Sequence, residues 1–383
     1  MYSKILIFCV LFLSAAYGQR SGSNITVART IPFASKILDE ERPIDVYLPP
    51  RYNLTSERYP VIILLDGEQH FLHTIGSARF LAGVGRIPQM IVVGIPNTDR
   101  NRDFTPTKSL EVPTSGGAEK FIAFLRNELL PNIDQNFRTV PFRILIGHSL
   151  CGMFTLYQLL KHGDLFQGYI AISPYLMYND FFLLKMIERR DNIPYYPGNR
   201  FLYLSIGNEP GYEEALIRLQ KQLPVSSSKG LSWKLQHYPD EYHDSSPLRA
   251  VPDGLSYIFN KWPIPDSLTR GGLDSVIAHY ERFSTHYGYE QTVPETQLNI
   301  LAYQTVADGP IAEALRMFRY NVELYPESPN VYDSLGEGLE AAGLLAEAAE
   351  QYRIAIEKGR KQSDGNLPAY EEHLRRILEK IDQ

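Results

Sequence analysis

Short apolar runs alternate with segments of helical periodicity over the first two thirds of the chain. Runs such as Tyr59–Leu65 and Ile144–Ile146 hold almost no polar residue, which is typical of strands buried on both faces of a parallel sheet. A segment such as Leu150–Leu160 instead has the apolar period of a helix. The other predicted strands are 44–48, 90–95, 169–172, 201–207 and 233–238, and the other predicted helices are 118–130, 212–223 and 248–260. Strands that alternate with helices predict an α/β fold with a mostly parallel sheet between helices.

The pattern changes after Pro263-Ile264-Pro265, where the strand signals end and helical periodicity continues. Two segments of this part, about 295–328 and 329–362, repeat at a 34-residue offset that aligns Leu298, Leu301, Gly309, Ala314 and Phe318 with Tyr332, Leu335, Gly343, Ala348 and Tyr352. This period resembles tetratricopeptide repeats; an unrelated pair of helical hairpins is the alternative. We predict an α/β domain over 19–264 and a small all-α domain over 265–383 that packs on it and offers a surface to a protein partner.

The N-terminus has the pattern of a secretory signal peptide over residues 1–18. Lys4 precedes an apolar stretch, residues 5–13, and small residues end at Gly18. The apolar stretch is too short to span a bilayer, so we expect no transmembrane segment and a secreted or periplasmic protein. Cleavage would remove Cys9 and leave Cys151 as the single cysteine, which excludes an intramolecular disulfide.

Composition excludes several classes of function. The hydrophobic content of 44% and the charged content of 21% are those of an ordinary globular chain. The formal net charge is −6 and no cluster of Lys and Arg is present, so we expect no nucleic-acid partner. The sequence has no CxxC, no HExxH and no phosphate loop, and we therefore expect no metal and no nucleotide cofactor.

The segment Gly147-His148-Ser149-Leu150-Cys151-Gly152 lies between a predicted strand and a predicted helix. A serine on such a sharp strand-to-helix turn is the nucleophile elbow of α/β-hydrolases. Gly147 and Gly152 supply the small residues that the turn needs, although Cys151 stands where the last glycine of G-x-S-x-G is usual. Ser149 is therefore the predicted nucleophile, and a chance Gly-x-Ser in a loop is the alternative.

A serine nucleophile needs a base, and the base an orienting acid. In α/β-hydrolases these follow the serine in the order acid, then histidine. His243 lies in the loop after the last predicted strand and is the predicted base; the other histidines after Ser149 are His162, His237, His279 and His286. Glu209, two residues after a strand that ends at Gly207, is the predicted acid, with Glu213, Asp240 and Glu241 as alternatives.

The oxyanion of the reaction needs two backbone N–H groups. We expect one from Leu150 and the other from Gly67 or Glu68, in the turn after an early strand; an ordinary β-turn is the alternative there. Arg100 and Arg102 are candidates for holding an anionic substrate group, and a structural ion pair with Asp103 or with a neighbouring loop is the alternative. The loops at the strand ends, where open α/β sheets bind ligands, carry further candidate substrate-binding residues: His70, Tyr175 and Tyr242.

Several motifs occur together and in order over about residues 28–262. They are Val46-Tyr47-Leu48-Pro49-Pro50, Tyr59-Pro60-Val61 through Asp66-Gly67, Val93-Gly94-Ile95-Pro96-Asn97 with Arg102-Asp103-Phe104-Thr105-Pro106, Gly147-His148-Ser149-Leu150, Ile172-Ser173-Pro174 and Tyr238-Pro239-Asp240-Glu241-Tyr242-His243. As a set they resemble the esterase D-like family of α/β-hydrolases, which includes siderophore esterases, feruloyl and acetylxylan esterases, S-formylglutathione hydrolases and mycolyltransferases.

The resemblance implies catalytic roles for Ser149 and His243. In some siderophore esterases of the family the acid is weak or absent, so a Ser-His dyad without Glu209 stays open. This chain departs from the family at Cys151 and at Tyr175-Leu176-Met177-Tyr178, where a Trp is common after the Ser-Pro step. The second departure falls at the substrate pocket, so the resemblance does not fix the substrate.

These observations predict a secreted serine esterase that hydrolyses a carboxylic ester through an acyl-enzyme on Ser149 without a cofactor. The expected substrate is a small molecule or an oligosaccharide: a siderophore-type ester or an acyl- or feruloyl-polysaccharide ester. Two alternatives remain, an acyltransferase with the same serine site and a non-catalytic binding or scaffold protein that acts through the repeats.

Overall fold

The computed structural model describes residues 25–189, 196, 198–223, 230–265, 268 and 271–383. The predicted signal peptide, residues 1–18, lies outside the described residues. Within them, no helix combines the length and the apolar character that a membrane span requires.

The described residues form an eight-stranded sheet with strand order β1-β2-β4-β3-β5-β6-β7-β8. β1 and β2 pair antiparallel, as do β2 and β4, and every other neighbouring pair is parallel. All residues of β3, β4, β6 and β7 are buried, which is why the sequences of these strands are mostly apolar. The strands are β1 Arg29–Ser35, β2 Glu40–Tyr47, β3 Tyr59–Leu65, β4 Ile91–Ile95, β5 Thr139–His148, β6 Gly168–Ile172, β7 Arg200–Ile206 and β8 Leu231–His237.

Helices connect the parallel strands and cover both faces of the sheet. They are α1 Gly67–Gly83, α2 Arg100–Phe104, α3 Ala118–Phe124, α4 Leu130–Asn136, α5 Leu150–His162, α6 Tyr178–Arg189, α7 Pro210–Gln222 and α8 Pro247–Ile258. A π-helical turn, Leu125–Leu129, joins α3 to α4, so the helix predicted at 118–130 continues to Asn136. This architecture confirms the predicted α/β-hydrolase fold.

The last part of the described chain is helical. Its helices are α9 Gly272–Tyr287, α10 Glu295–Asp308, α11 Ile311–Leu324, α12 Pro329–Ala341, α13 Leu345–Gln362 and α14 Leu367–Ile381. The pairs α10–α11 and α12–α13 begin 34 residues apart, as the sequence offset predicts. The two pairs pack closely on each other: a Cβ added at Gly338 would lie only 2.6 Å from the ring of Phe318. That these pairs are tetratricopeptide repeats stays a prediction.

One apolar cluster joins the sheet to the helical part. The ring of Tyr287, at the end of α9, lies 5.5 Å from that of Phe142 on β5 and stacks at 5.3 Å on that of Phe201 on β7. Tyr289 also contacts Phe142, at 5.6 Å. The core is therefore continuous across the predicted domain boundary near residue 264, and that boundary stays a prediction.

Candidate active site

Ser149 lies on the sharp turn between β5 and α5. Its φ of 58° and ψ of −116° are unusual for a residue with a side chain and signal a strained backbone. The turn is held by backbone hydrogen bonds: the N–H of Ser149 donates to the Ile172 carbonyl at 2.9 Å, and its carbonyl accepts from the N–H of Tyr175 at 2.9 Å. The sequence thus folds locally as predicted, with the serine at the carboxyl edge of the sheet.

The two flanking glycines are required by close packing. A Cβ at Gly147 would overlap the Cys151 carbonyl, and a Cβ at Gly152 would lie 2.8 Å from the Ile172 carbonyl oxygen. Cys151 is fully buried, and burial raises the pKa of its thiol well above the ordinary value. The departure from the usual glycine at this position therefore leaves the turn intact and places an inert thiol beneath it.

Glu209 and His243 form a hydrogen-bonded pair at the same edge. Nδ1 of His243 lies 2.5 Å from Oε2 of Glu209, whose side chain is 6% exposed. Oε1 of Glu209 accepts from the Ser173 hydroxyl at 2.6 Å and from the Gly207 N–H at 2.9 Å. Burial alone would raise the pKa of Glu209, but the bonds from His243, Ser173 and Gly207 hold it below its ordinary value. An ionised Glu209 favours the proton on Nδ1 and leaves Nε2 as an acceptor.

The loop that carries His243 is tied to the residue before Ser149. Nε2 of His148 lies 2.9 Å from the His243 carbonyl, and the two imidazole rings are 4.6 Å apart. Burial, with smaller contributions from His243 and His70, lowers the pKa of His148 to about 4. His148 is therefore neutral at neutral pH and donates through Nε2 to this carbonyl.

Tyr212 contacts both Ser149 and His243. Its ring lies 5.0 Å from the His243 ring. Burial raises the pKa of the Tyr212 hydroxyl, and the nearby Ser149 side chain opposes that rise. Since Glu209 is bonded to His243, the structure brings all three predicted catalytic side chains to one place. Tyr212 is the third residue of α7. It is one of several aromatic residues that the sequence places near the strand ends.

The two helices that carry the predicted oxyanion donors begin beside each other at this edge, and the role of these donors stays a prediction. β3 and β5 are neighbours, so α1, which begins at Gly67, and α5, which begins at Leu150, start side by side. The first N–H groups of a helix have no partner within it, and they favour negative charge. A Cβ at Gly67 would lie 2.9 Å from backbone atoms of Ile95, which explains a glycine here.

An ion pair between Asp66 and Arg100 connects the turn before α1 with the turn before α5. Asp66, 1% exposed, accepts from Nε of Arg100 at 2.8 Å and from its Nη2 at 2.9 Å, and the same Nη2 lies 3.2 Å from the His148 carbonyl. Burial would raise the pKa of Asp66, but Arg100 and Asn97 hold it below its ordinary value. The sequence indicates an ion pair as one role for Arg100 but does not identify Asp66 as its partner. The signal for this partner is an Asp and an Arg that follow neighbouring strands, β3 and β4.

Arg102 lies in a network of ion pairs. Its Nε donates to Asp103 at 2.7 Å, and its Nη1 and Nη2 donate to Glu40 at 2.9 and 3.0 Å. Arg42, fully buried, contacts the same two carboxylates. All three side-chain nitrogens of Arg102 are therefore engaged in an ion-pair network, and the pair with Asp103 agrees with the alternative interpretation. A substrate-binding role for Arg102 stays a prediction.

The other predicted substrate-binding residues surround the elbow to different degrees. The His70 ring packs at 5.4 Å on that of His148, and its Nδ1 lies 3.0 Å from Nε2 of His73, which the sequence did not single out. Burial lowers the pKa of both, that of His73 to about 4. The Tyr175 ring lies 6.0 Å from that of Tyr212. Tyr242 is 73% exposed. Their roles toward a substrate stay predictions.

The alternative bases and acids have other partners. His162 pairs with Glu119 at 2.9 Å, Nε2 of His237 lies 3.1 Å from the Gly207 carbonyl, and Nε2 of His279 lies 3.2 Å from the Trp262 carbonyl. Glu241 accepts from the Ser245 hydroxyl at 2.6 Å. Of the acids considered from the sequence, Glu209 is the one bonded to His243.

Two groups of side chains within the described residues bring metal-ligand atoms within 4.8 Å of one another: His148, His243 and Asp244, and Asp333, Glu337 and His373. In the first, the His148 and His243 imidazoles already hydrogen-bond to the His243 carbonyl and to Glu209. In the second, His373 pairs with Asp333 at 2.9 Å. These bonds account for both clusters, and we assign neither to a metal.

Comparisons with known proteins agree with this arrangement. The family model described as "Putative esterase" matches residues 35–204. Ferri-bacillibactin esterase BesA of Bacillus subtilis is 38% identical over 152 residues, which are 34% of this chain and 52% of the relative, so the chain spans about half the length of that protein. Uncharacterized protein YjcH of the same organism is 30% identical over 187 residues, 48% of this chain and 71% of the relative.

Among solved structures, an IroE-like serine hydrolase from Shewanella oneidensis superposes with a TM-score of 0.66 at 29% identity, covering 73% of this chain and 93% of that one. The likeness thus extends over nearly the whole of a serine hydrolase. The fold, the ordered motifs and these relatives agree. The chain belongs to this esterase family and has the α/β-hydrolase fold.

Proposed function

We propose that the protein is a serine esterase that hydrolyses a siderophore-type carboxylic ester through an acyl-enzyme on Ser149. The observation that supports this most strongly is the bond between Glu209 and Nδ1 of His243 beside a serine on a strained elbow. That bond selects the imidazole tautomer whose Nε2 accepts a proton. A purely structural role for this loop would not explain why the buried Glu209 carboxylate is bonded to the His243 imidazole.

The chemistry follows from the placed groups. Nε2 of His243 takes the proton of the Ser149 hydroxyl as its oxygen attacks the ester carbonyl. The oxyanion accepts from the N–H of Leu150 and from the N–H of Gly67 or Glu68. The imidazolium, stabilised by Glu209, returns the proton to the departing alcohol. Water then attacks the acyl-serine with His243 again as base, which releases the carboxylic acid and regenerates Ser149.

The siderophore class rests on similarity. The curated relative with 38% identity is a ferri-bacillibactin esterase, whereas the acyl- or feruloyl-polysaccharide class has no comparable support here. The rings of His148 and Tyr212 lie 4.6 and 5.0 Å from that of His243. The rings of His70 and Tyr175 pack on these two in turn. Such a group of rings suits an aromatic acyl group. The N-terminal pattern of residues 1–18 supports export as part of the same proposal.

The test compares hydrolysis of ferri-bacillibactin with that of a feruloyl-arabinoxylan oligosaccharide by chromatography and mass spectrometry. We expect wild-type protein to release the siderophore monomer much faster than ferulate, and Ser149→Ala to release neither. Release of ferulate alone would overturn the substrate class. Equal turnover by Ser149→Ala would overturn the serine mechanism.

A further inference from the structure

A cavity of about 580 Å³ lies where the sheet meets the helical part of the chain. Its walls include Tyr59 and Thr139, the first residues of β3 and β5, and Trp262, Tyr289 and Glu295 from beyond α8. The ten residues of β5, at roughly 3.3 Å each, put about 30 Å between this cavity and Ser149. The cavity therefore belongs to a different site from the elbow.

A buried carboxylate oxygen in the wall lacks a protein partner. Glu295 is 5% exposed; its Oε1 accepts from Nδ2 of Asn330 at 3.0 Å and lies 3.6 Å from Nη2 of Arg51. Its Oε2 has no hydrogen-bond partner among the described residues. A buried charged acceptor left unpaired costs free energy that a bound donor recovers.

A second carboxylate adds negative charge to the same wall. Glu57 also lines the cavity, and Oε2 of Glu57 accepts from the Tyr59 hydroxyl at 3.2 Å. Burial, together with the nearby charge of Glu295, raises the pKa of Glu57 above its ordinary value. The two carboxylates repel each other, and a cation between them would relieve that repulsion.

The complete set of charged lining residues favours a cation, because three acids face two arginines: Glu57, Glu290, Glu295, Arg51 and Arg58. Arg58 directs its Nε to the Thr139 carbonyl at 3.0 Å. The rest of the wall is rich in aromatic rings, those of Tyr59, Trp262, Tyr289 and Tyr325. Carboxylates and aromatic faces together are the groups that recognise organic ammonium ions.

We propose that this cavity binds a small organic cation, an ammonium group carried on an apolar body. The ammonium donates to Oε2 of Glu295, and the aromatic walls surround the body. The volume lies in the range of small-molecule sites. An anion would meet the carboxylates, and a bare metal ion would leave the aromatic walls unused. The proposal is independent of the esterase reaction.

The test is isothermal titration of the full chain with phenethylammonium and tryptammonium, and with 3-phenylpropionate as an anion of similar shape. We expect the amines to bind and the anion not to bind. Glu295→Gln should weaken amine binding at least about tenfold, whereas Glu323→Gln, an exposed glutamate on α11, should leave it unchanged.

Because Glu295 also accepts a hydrogen bond from Asn330, its replacement could disturb the local structure, and Glu57→Gln serves as a second variant. We expect Glu57→Gln to weaken amine binding as well. Circular dichroism checks that each variant is folded. The proposal would be overturned if both cavity variants bound the amines as tightly as wild-type protein does, or if the anion bound as tightly as the amines. Absence of amine binding at about 10 mM would also overturn it. None of these measurements uses ester turnover, so their outcome does not depend on whether the esterase proposal is correct.

Discussion

The Glu209 carboxylate lies 2.5 Å from Nδ1 of His243, although the two residues are 34 positions apart and follow different strands. β7 and β8 pair in parallel along their length, so the loops after them meet at one edge of the sheet. The family leaves the acid uncertain, and this contact supports a triad over a Ser-His dyad.

Glu209→Gln should reduce kcat on the order of 10²- to 10⁴-fold, because an amide neither fixes the tautomer of His243 nor stabilises its cation. KM should change little. Glu213→Gln, an exposed glutamate one turn into the same helix, is the matched control and should behave as wild type. Similar rates for both variants in steady-state kinetics would show that the site works as a dyad.

Gly67→Ala should lower kcat by about 10²-fold, because the new Cβ would displace the start of α1 from the backbone of Ile95 and move an oxyanion donor. Gly76→Ala, in the same helix, meets nothing within 4 Å and should stabilise the helix by about 0.5–1 kcal/mol. Steady-state kinetics of both variants measure kcat, and urea denaturation measures the free energy of unfolding. Loss of activity in Gly76→Ala as well, or full activity in Gly67→Ala, would contradict the assignment of the donor.

Glu40→Gln should lower the free energy of unfolding by about 1–3 kcal/mol at pH 7. Burial would raise the pKa of Glu40, but bonds from Arg102, Arg42 and Thr98 lower it from 4.5 to about 2. The ionised form therefore stabilises the fold above pH 4.5, and this stabilisation is lost as the pH falls towards 2.

Urea denaturation at pH 7 and pH 3 checks this dependence, with the exposed Glu41→Gln as the matched control. The destabilisation by Glu40→Gln should be smaller at pH 3 than at pH 7, and the control should show no such change. An equal or larger destabilisation at pH 3 would mean that Glu40 is not held ionised by the arginines.

Tyr287→Ala should lower the free energy of unfolding by about 3–5 kcal/mol. The ring packs on Phe142, Phe201 and Phe283, and its hydroxyl donates to the Ile258 carbonyl at 2.7 Å. Because this contact joins the two parts of the chain, wild-type protein should unfold in one transition by both circular dichroism and tryptophan fluorescence. Two separate transitions would show that the helical part is an independent unit.

Much of the fold and site is predictable because the chain gives local signals for it. The apolar runs of β3 to β7 identify buried strands, and Ser149 and His243 occupy fixed places relative to their ends. Glu209 follows from the same logic, since a carboxylate just past a parallel strand lies at the edge where the serine stands.

Other features depend on contacts that local patterns do not encode. The sequence suggests Asp103 as a partner of Arg102, but it does not indicate Glu40, which lies on an antiparallel strand sixty-two positions earlier. The pair of Asp66 with Arg100 needs the order of β3 and β4 in the sheet. The cavity lined by Glu57 and Glu295 combines two distant parts of the chain, and no sequence window contains both.

Labelling with a fluorophosphonate probe tests whether Ser149 is an activated nucleophile. Intact-protein and peptide mass spectrometry of wild-type protein, Ser149→Ala and His243→Ala locates and counts the adduct. We expect one adduct on Ser149 of the wild type, none on Ser149→Ala and strongly slowed labelling of His243→Ala. Absence of labelling in folded wild-type protein, or an adduct that persists in Ser149→Ala, would contradict it.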